Sequence, residues 1–149
     1  MHIVDRRVLL SAGVLSAVAA CSSPAPVKTI DKTAQTDPAP LVKRTRGLEA
    51  ATSVLWFSGR LGGSAPGPCS SWIDATIELP SDLADELRAH RGTGSASAPE
   101  VVPDLASSIT TQDLVESPEV AARVAAPGWS GRAWLSAQSP TLVLSLTGQ

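Results

Sequence analysis

The residues able to do chemistry are few. His90 is the only histidine besides His2, Cys21 and Cys69 are the only thiols, and Asn and Tyr are absent. A zinc centre needs three or four nitrogen, sulfur or carboxylate ligands, more than His90 and Cys69 supply, so no metal and no cofactor are expected. A Ser-His-Asp site would have to use His90 as its base, and no G-x-S-x-G turn surrounds any serine. Gly128-Trp129-Ser130-Gly131 comes nearest and reads as a turn into a strand. Gly59, Gly62 and Gly63 are followed by no Lys, which excludes a phosphate loop. Asp74 and Glu78 share one face of a strand about 13 Å apart, and an exposed strand face is polar in any case. Asp82, Asp85 and Glu86 suit the positive end of a helix, and His90 suits its negative end. No catalytic residue is therefore assigned. The formal charge of −2 and five aromatics among 149 residues argue against a nucleic-acid partner.

The chain's beginning is more informative. Fourteen of the first 21 residues are apolar, a processing pattern rather than a core pattern. Arg6 and Arg7 precede an uncharged 13-residue run, VLLSAGVLSAVAA, at positions 8–20. As a helix it would span about 20 Å, short of the roughly 30 Å hydrocarbon core but right for the apolar region of a signal peptide.

Val18-Ala19-Ala20-Cys21 closes that run, and the tetrapeptide resembles the lipobox of bacterial lipoproteins, with Val where Leu is usual. The resemblance covers about 21 residues. It implies acylation of the Cys21 sulfur and cleavage just before it, with several acyl chains holding the mature protein stably on the extracytoplasmic face of the cell membrane. Arg6-Arg7-Val8-Leu9-Leu10 also looks like a twin-arginine signal, although Asp5 stands where Ser or Thr is common; otherwise the general secretory route serves. Twenty-two Ala against three Lys and five Ile fit a high-GC bacterium such as an actinobacterium.

Elements follow from pattern and punctuation. Residues 21–47 hold several Pro and no sustained apolar period, and read as a disordered basic linker. Residues 22–47 carry +3, from five basic residues against Asp31 and Asp37, whereas residues 48–149 carry −6, from five Arg against eleven acids. Residues 52–61 predict a buried strand around Val54-Leu55-Trp56-Phe57. In residues 72–79, Ile73, Ala75, Ile77 and Leu79 line one face, and Trp72, Asp74, Thr76 and Glu78 the other, outer one. Pro80-Ser81-Asp82 opens a helix that Gly92 ends, residues 92–99 read as a flexible loop, and Ser117-Pro118-Glu119 opens a second helix. Residues 129–137 and 142–146 predict a hairpin, while 101–115 fit strand or helix.

The expected architecture is therefore a signal peptide (1–20), a linker (21–47) and one small α+β domain (48–149), with about four antiparallel strands and two helices packed on one face. The loop between the first two strands, flanked by Trp56 and Trp72 and containing Cys69, is the expected binding surface. Acylation of Cys21 would remove that thiol from any disulfide. The function expected is a lipid-anchored envelope protein whose head binds a protein, peptide or wall component without catalysis. The alternatives are an envelope hydrolase and a structural or stress-related lipoprotein.

Overall fold

The computed structural model describes residues 26–62 and 69–149. Two nine-residue strands, β2 (Ser53–Leu61) and β3 (Ser70–Glu78), form a hairpin paired from Ser53↔Glu78 to Leu61↔Ser70. A second hairpin, β6 (Trp129–Ser136) and β7 (Thr141–Gly148), joins it through β3 and β7. Three short strands extend the edges: β1 (Lys28–Ile30) beside β2, then β5 (Leu114–Glu116) beside β6 and β4 (Ser95–Ala96) beside β5. The result is a seven-stranded antiparallel sheet in the order β1-β2-β3-β7-β6-β5-β4.

Helices α2 (Ser81–Ala89) and α4 (Pro118–Val124) cover one face, joined by the single turn α1 (Ala39–Val42). The alternation read in the sequence sets that face: Ile73, Ala75 and Ile77 from β3 and Leu142, Leu144 and Leu146 from β7 are all buried there. Ala84 and Leu87 from α2 and Val120, Ala121 and Val124 from α4 pack onto them. Ser117 caps α4, its hydroxyl accepting from the Val120 amide at 3.1 Å. Gly92, at φ 61°, releases the chain after α2. Among the described residues, no helix is long and apolar enough to cross a membrane.

Three expectations change. The sheet has seven strands rather than about four; each extra strand is two or three residues long, too short to show a period of 2. Much of its outer face is covered. Segment 101–109, with helix α3 (Pro103–Ala106), lies across it and buries Val102 and Leu105 against Phe57 and Trp72. Leu114, Trp134 and Val143 form a neighbouring cluster on that face. Finally, residues 28–47 are not linker. β1 pairs with β2, Gln35 and Trp56 exchange two backbone hydrogen bonds of 2.9 Å, and Leu41 is buried beneath the helix face. The Pro-rich composition hides this because the order comes from contacts with β2 and β3, not from local propensity.

Candidate functional site

Trp56, Cys69 and Trp72 do not form one surface. Trp56 is 3% exposed, lies on the helix-covered face, and donates its indole N–H to the Asp37 carbonyl at 2.9 Å. Trp72 is fully buried on the opposite face and shares its N–H between the carbonyls of Thr29 (3.2 Å) and Arg60 (3.1 Å). Cys69 is exposed at the start of β3. Both tryptophans thus bond to, or pack under, the segment expected to be linker. Register alone separates them, since Trp56 stands opposite Ala75 while Trp72 stands opposite Gly59. Arg6, Arg7, Val18, Ala19, Ala20 and Cys21 lie outside the described residues.

The carboxylate placed on an exposed strand face is instead the most enclosed charge in the fold. Asp74 is fully buried and accepts from the Lys28 ammonium at 2.6 and 2.8 Å and from the Val102 amide at 2.8 Å. Lys28 also donates to the Ser145 hydroxyl at 3.1 Å and lies 5.1 Å from the centre of the Trp72 ring. Serine beside lysine is the composition of a hydrolytic dyad, but here the ammonium donates to every neighbour and keeps no lone pair to take the serine proton. The arrangement is a buried clamp holding β1, β3, β7 and the 101–109 segment together.

The other acids and His90 have separate partners. Glu78 accepts from the Thr141 hydroxyl at 2.8 Å, and the His90 ring bonds through Nδ1 to the Glu86 carbonyl at 2.8 Å from an exposed helix end. Arg132 donates to Glu116 at 2.6 and 2.7 Å, pairs with Glu100 at 2.6 Å, and stacks 4.8 Å from the Trp134 ring. Hydrogen bonding from Arg132 holds the Glu116 carboxyl below the usual range, and the same bonds push the guanidinium's own pKa up. Asp113 is held low chiefly by the Ser136 hydroxyl and further by backbone amides that include Gln138. Among the described residues, no three His, Cys, Asp or Glu side chains are grouped to hold a metal ion.

Beside this network lies a cavity of about 350 Å³, lined by Ser97, Pro99, Ala106, Ile109, Thr111 and Leu114 among others. Its walls come from the 92–99 stretch read as a flexible loop and the 101–115 stretch left between strand and helix. Ser97 at its rim is fixed on both sides, accepting from the Trp134 indole at 2.9 Å and donating to Glu116 at 3.1 Å. Edge strand β4 forms part of the same wall through Ala96. The only sequence signal was indirect: Gly, Pro and Ser punctuation followed by scattered apolar residues describes a wall as well as a loop. Largely apolar walls with a few fixed hydroxyls suit a small apolar group better than a charged substrate. No protein-family model, curated protein or solved structure matches the chain.

Proposed function

We propose that the protein is a lipoprotein anchored through Cys21 on the extracytoplasmic face of the cell membrane, and that its head is a non-enzymatic binding module. The observation that carries the anchor is Val18-Ala19-Ala20-Cys21 at the end of an uncharged 13-residue run. The cavity supports the binding role. It adjoins β4, which ends the sheet order and pairs with β5 alone. An edge strand beside an apolar cavity suits an extended peptide segment, whose backbone would continue the sheet while one apolar side chain enters the cavity. The partner class is therefore a protein or peptide of the cell envelope.

Two experiments test the two halves. Metabolic labelling with a clickable palmitate should mark the wild type and not Cys21→Ser; an unlabelled wild type removes the anchor. A photo-crosslinking residue at exposed Gln112, on the cavity wall, should capture an envelope partner that the same group at Asp82 does not. Equal capture at both positions, or turnover of a wall polymer by the purified protein, overturns the binding reading.

A further inference from the structure

We propose that one end of the sheet is a docking surface for anionic lipid headgroups, so that the head rests on the bilayer instead of swinging above it. This rests on acylation of Cys21 for its proximity to a membrane; the surface itself is read from the fold.

Register defines that end. Lys28 stands opposite Leu61, Arg60 opposite Ser71, Ser71 opposite Gly148, and Gly148 opposite Trp129. The start of β1 and the start of β6 therefore share one rim, four strand spacings or about 19 Å apart. The chain enters the fold at the β1 corner. From Cys21 to Lys28 there are seven residue steps, which span at most about 24 Å. An acylated Cys21 thus holds the β1 corner of this rim within about 24 Å of the headgroups. A tether that short makes any further contact intramolecular, so individually weak contacts become effective.

The rim's charge fits such a surface. Arg44 lies 5.8 Å from the Trp129 ring, and Arg46 lines a groove with Ala125, Pro127 and Trp129. Lys43 and Arg46 are exposed, and Arg60 on the same rim is largely so, with only a loose 3.7 Å approach to Asp31. The stretches 43–48, 59–62, 69–71, 126–131 and 145–149 contain no Asp or Glu. Three acids lie at the other end of the sheet: Glu78 closes β3, Asp82 stands in the first turn of α2, and Asp113 bonds to Ser136 at the end of β6, while Glu86 shares a groove with Arg46. Trp129 adds the amphipathic ring that favours a membrane–water boundary. It is half-buried, whereas Trp56, Trp72 and Trp134 are buried.

Each basic residue near an anionic bilayer strengthens binding about five-fold, so reversing three of them should weaken docking by at least about a hundred-fold. Because the other tryptophans are buried, quenching by lipids brominated on their acyl chains reports on Trp129. The acylated protein, purified from membranes, would be reconstituted into brominated phosphatidylcholine vesicles with or without phosphatidylglycerol. Quenching is expected in the anionic vesicles, much less in the zwitterionic ones, and should disappear in high salt, in Trp129→Phe and in the Lys43→Glu/Arg44→Glu/Arg46→Glu variant. Arg44 also donates to the Pro40 carbonyl at 2.7 Å, so Lys43→Glu/Arg46→Glu, which touches two exposed side chains, repeats the test without that bond. Equal quenching with and without phosphatidylglycerol, or full quenching in both charge-reversed variants, overturns the proposal. Flotation with zwitterionic vesicles reads the acyl anchor alone. A protein that fails to float there loses the anchor, yet must still prefer phosphatidylglycerol vesicles from solution if the rim is the docking surface.

Discussion

Asp74 shows why a single residue can decide how the sheet is covered. A carboxylate with no exposed surface is tolerated only when it is paired and hydrogen-bonded, and its partners come from β1 and the 101–109 segment, with Lys28 bonded onward to Ser145 of β7. Removing the cation leaves the charge buried and uncompensated, so Lys28→Met should cost about 3–5 kcal/mol in urea unfolding. Asp74→Asn should cost less, because the amide oxygen still accepts from Val102 and the Lys28 side chain, 25% exposed, can take up water. The reverse order would show that the clamp is not anchored on Asp74. Two other carboxyls make stability fall in acid. Asp113 and Glu116 are held low in the fold, the first by the Ser136 hydroxyl and the second by Arg132. A lowered folded-state pKa contributes stability above the ordinary value and loses it as pH falls through the folded value. Asp113→Asn with Glu116→Gln should therefore flatten the decline below about pH 4, with little change in slope at neutral pH. An unchanged acid limb in the double variant would show that other carboxyls govern it.

At the scale of elements, the strap from β1 to α1 is held by a close approach that one methyl group would spoil. A Cβ on Gly59 would collide with the Thr29 carbonyl and stand 3.0 Å from the Trp72 ring. Gly59→Ala should peel β1 from β2 and, with it, separate Lys28 from Asp74. Amide exchange would accelerate at Asp31 and Gln35, whose N–H groups bond to Ser58 and Trp56, while β7 stays protected; unchanged protection at both amides would refute this. Helix α4 offers a smaller test. Ser117→Ala removes the cap on Val120 and the hydroxyl donated to the Arg91 carbonyl at 2.7 Å, and should cost about 1–2 kcal/mol in thermal or urea unfolding. That cap was legible in Ser117-Pro118-Glu119, as were β2, β3, β6, β7 and α2, because each is long enough to show a period or carries its own stop signal. β1, α1 and β4 were not legible, since two to four residues cannot reveal a period. The cavity went unread for the same reason, being walled by the segments that lack one. Alternation correctly put Trp72 and Asp74 on one face but could not say that residues 101–109 would cover it.

For the whole molecule, one sheet supports two cores. Trp56 belongs to the core under the helices, whereas Trp72 and Trp134 belong to clusters on the opposite face. The cavity opens on that second face toward the end opposite the basic rim, since Leu114 in its wall stands opposite Ser136 at the end of β6 and Thr111 bonds to Thr141 at the start of β7. If the basic rim rests on a bilayer as proposed, the cavity faces away from it. This geometry also governs stability. If the 101–116 segment could lift off alone, it would uncover Trp72 and Trp134 together with the charged Asp74 side chain. Losing two buried indoles forfeits several kcal/mol of apolar burial, and hydrating the Asp74 pair dissolves the clamp on β1. Separation of the second face should then bring down the first, giving one transition. Far-UV circular dichroism follows the sheet and helices, while tryptophan emission samples both faces. Their urea midpoints should coincide in the wild type and again in Lys28→Met, shifted together to lower denaturant. A fluorescence change that precedes the circular dichroism change would mean that the second face is a detachable layer, and the shared-sheet account of cooperativity would fail.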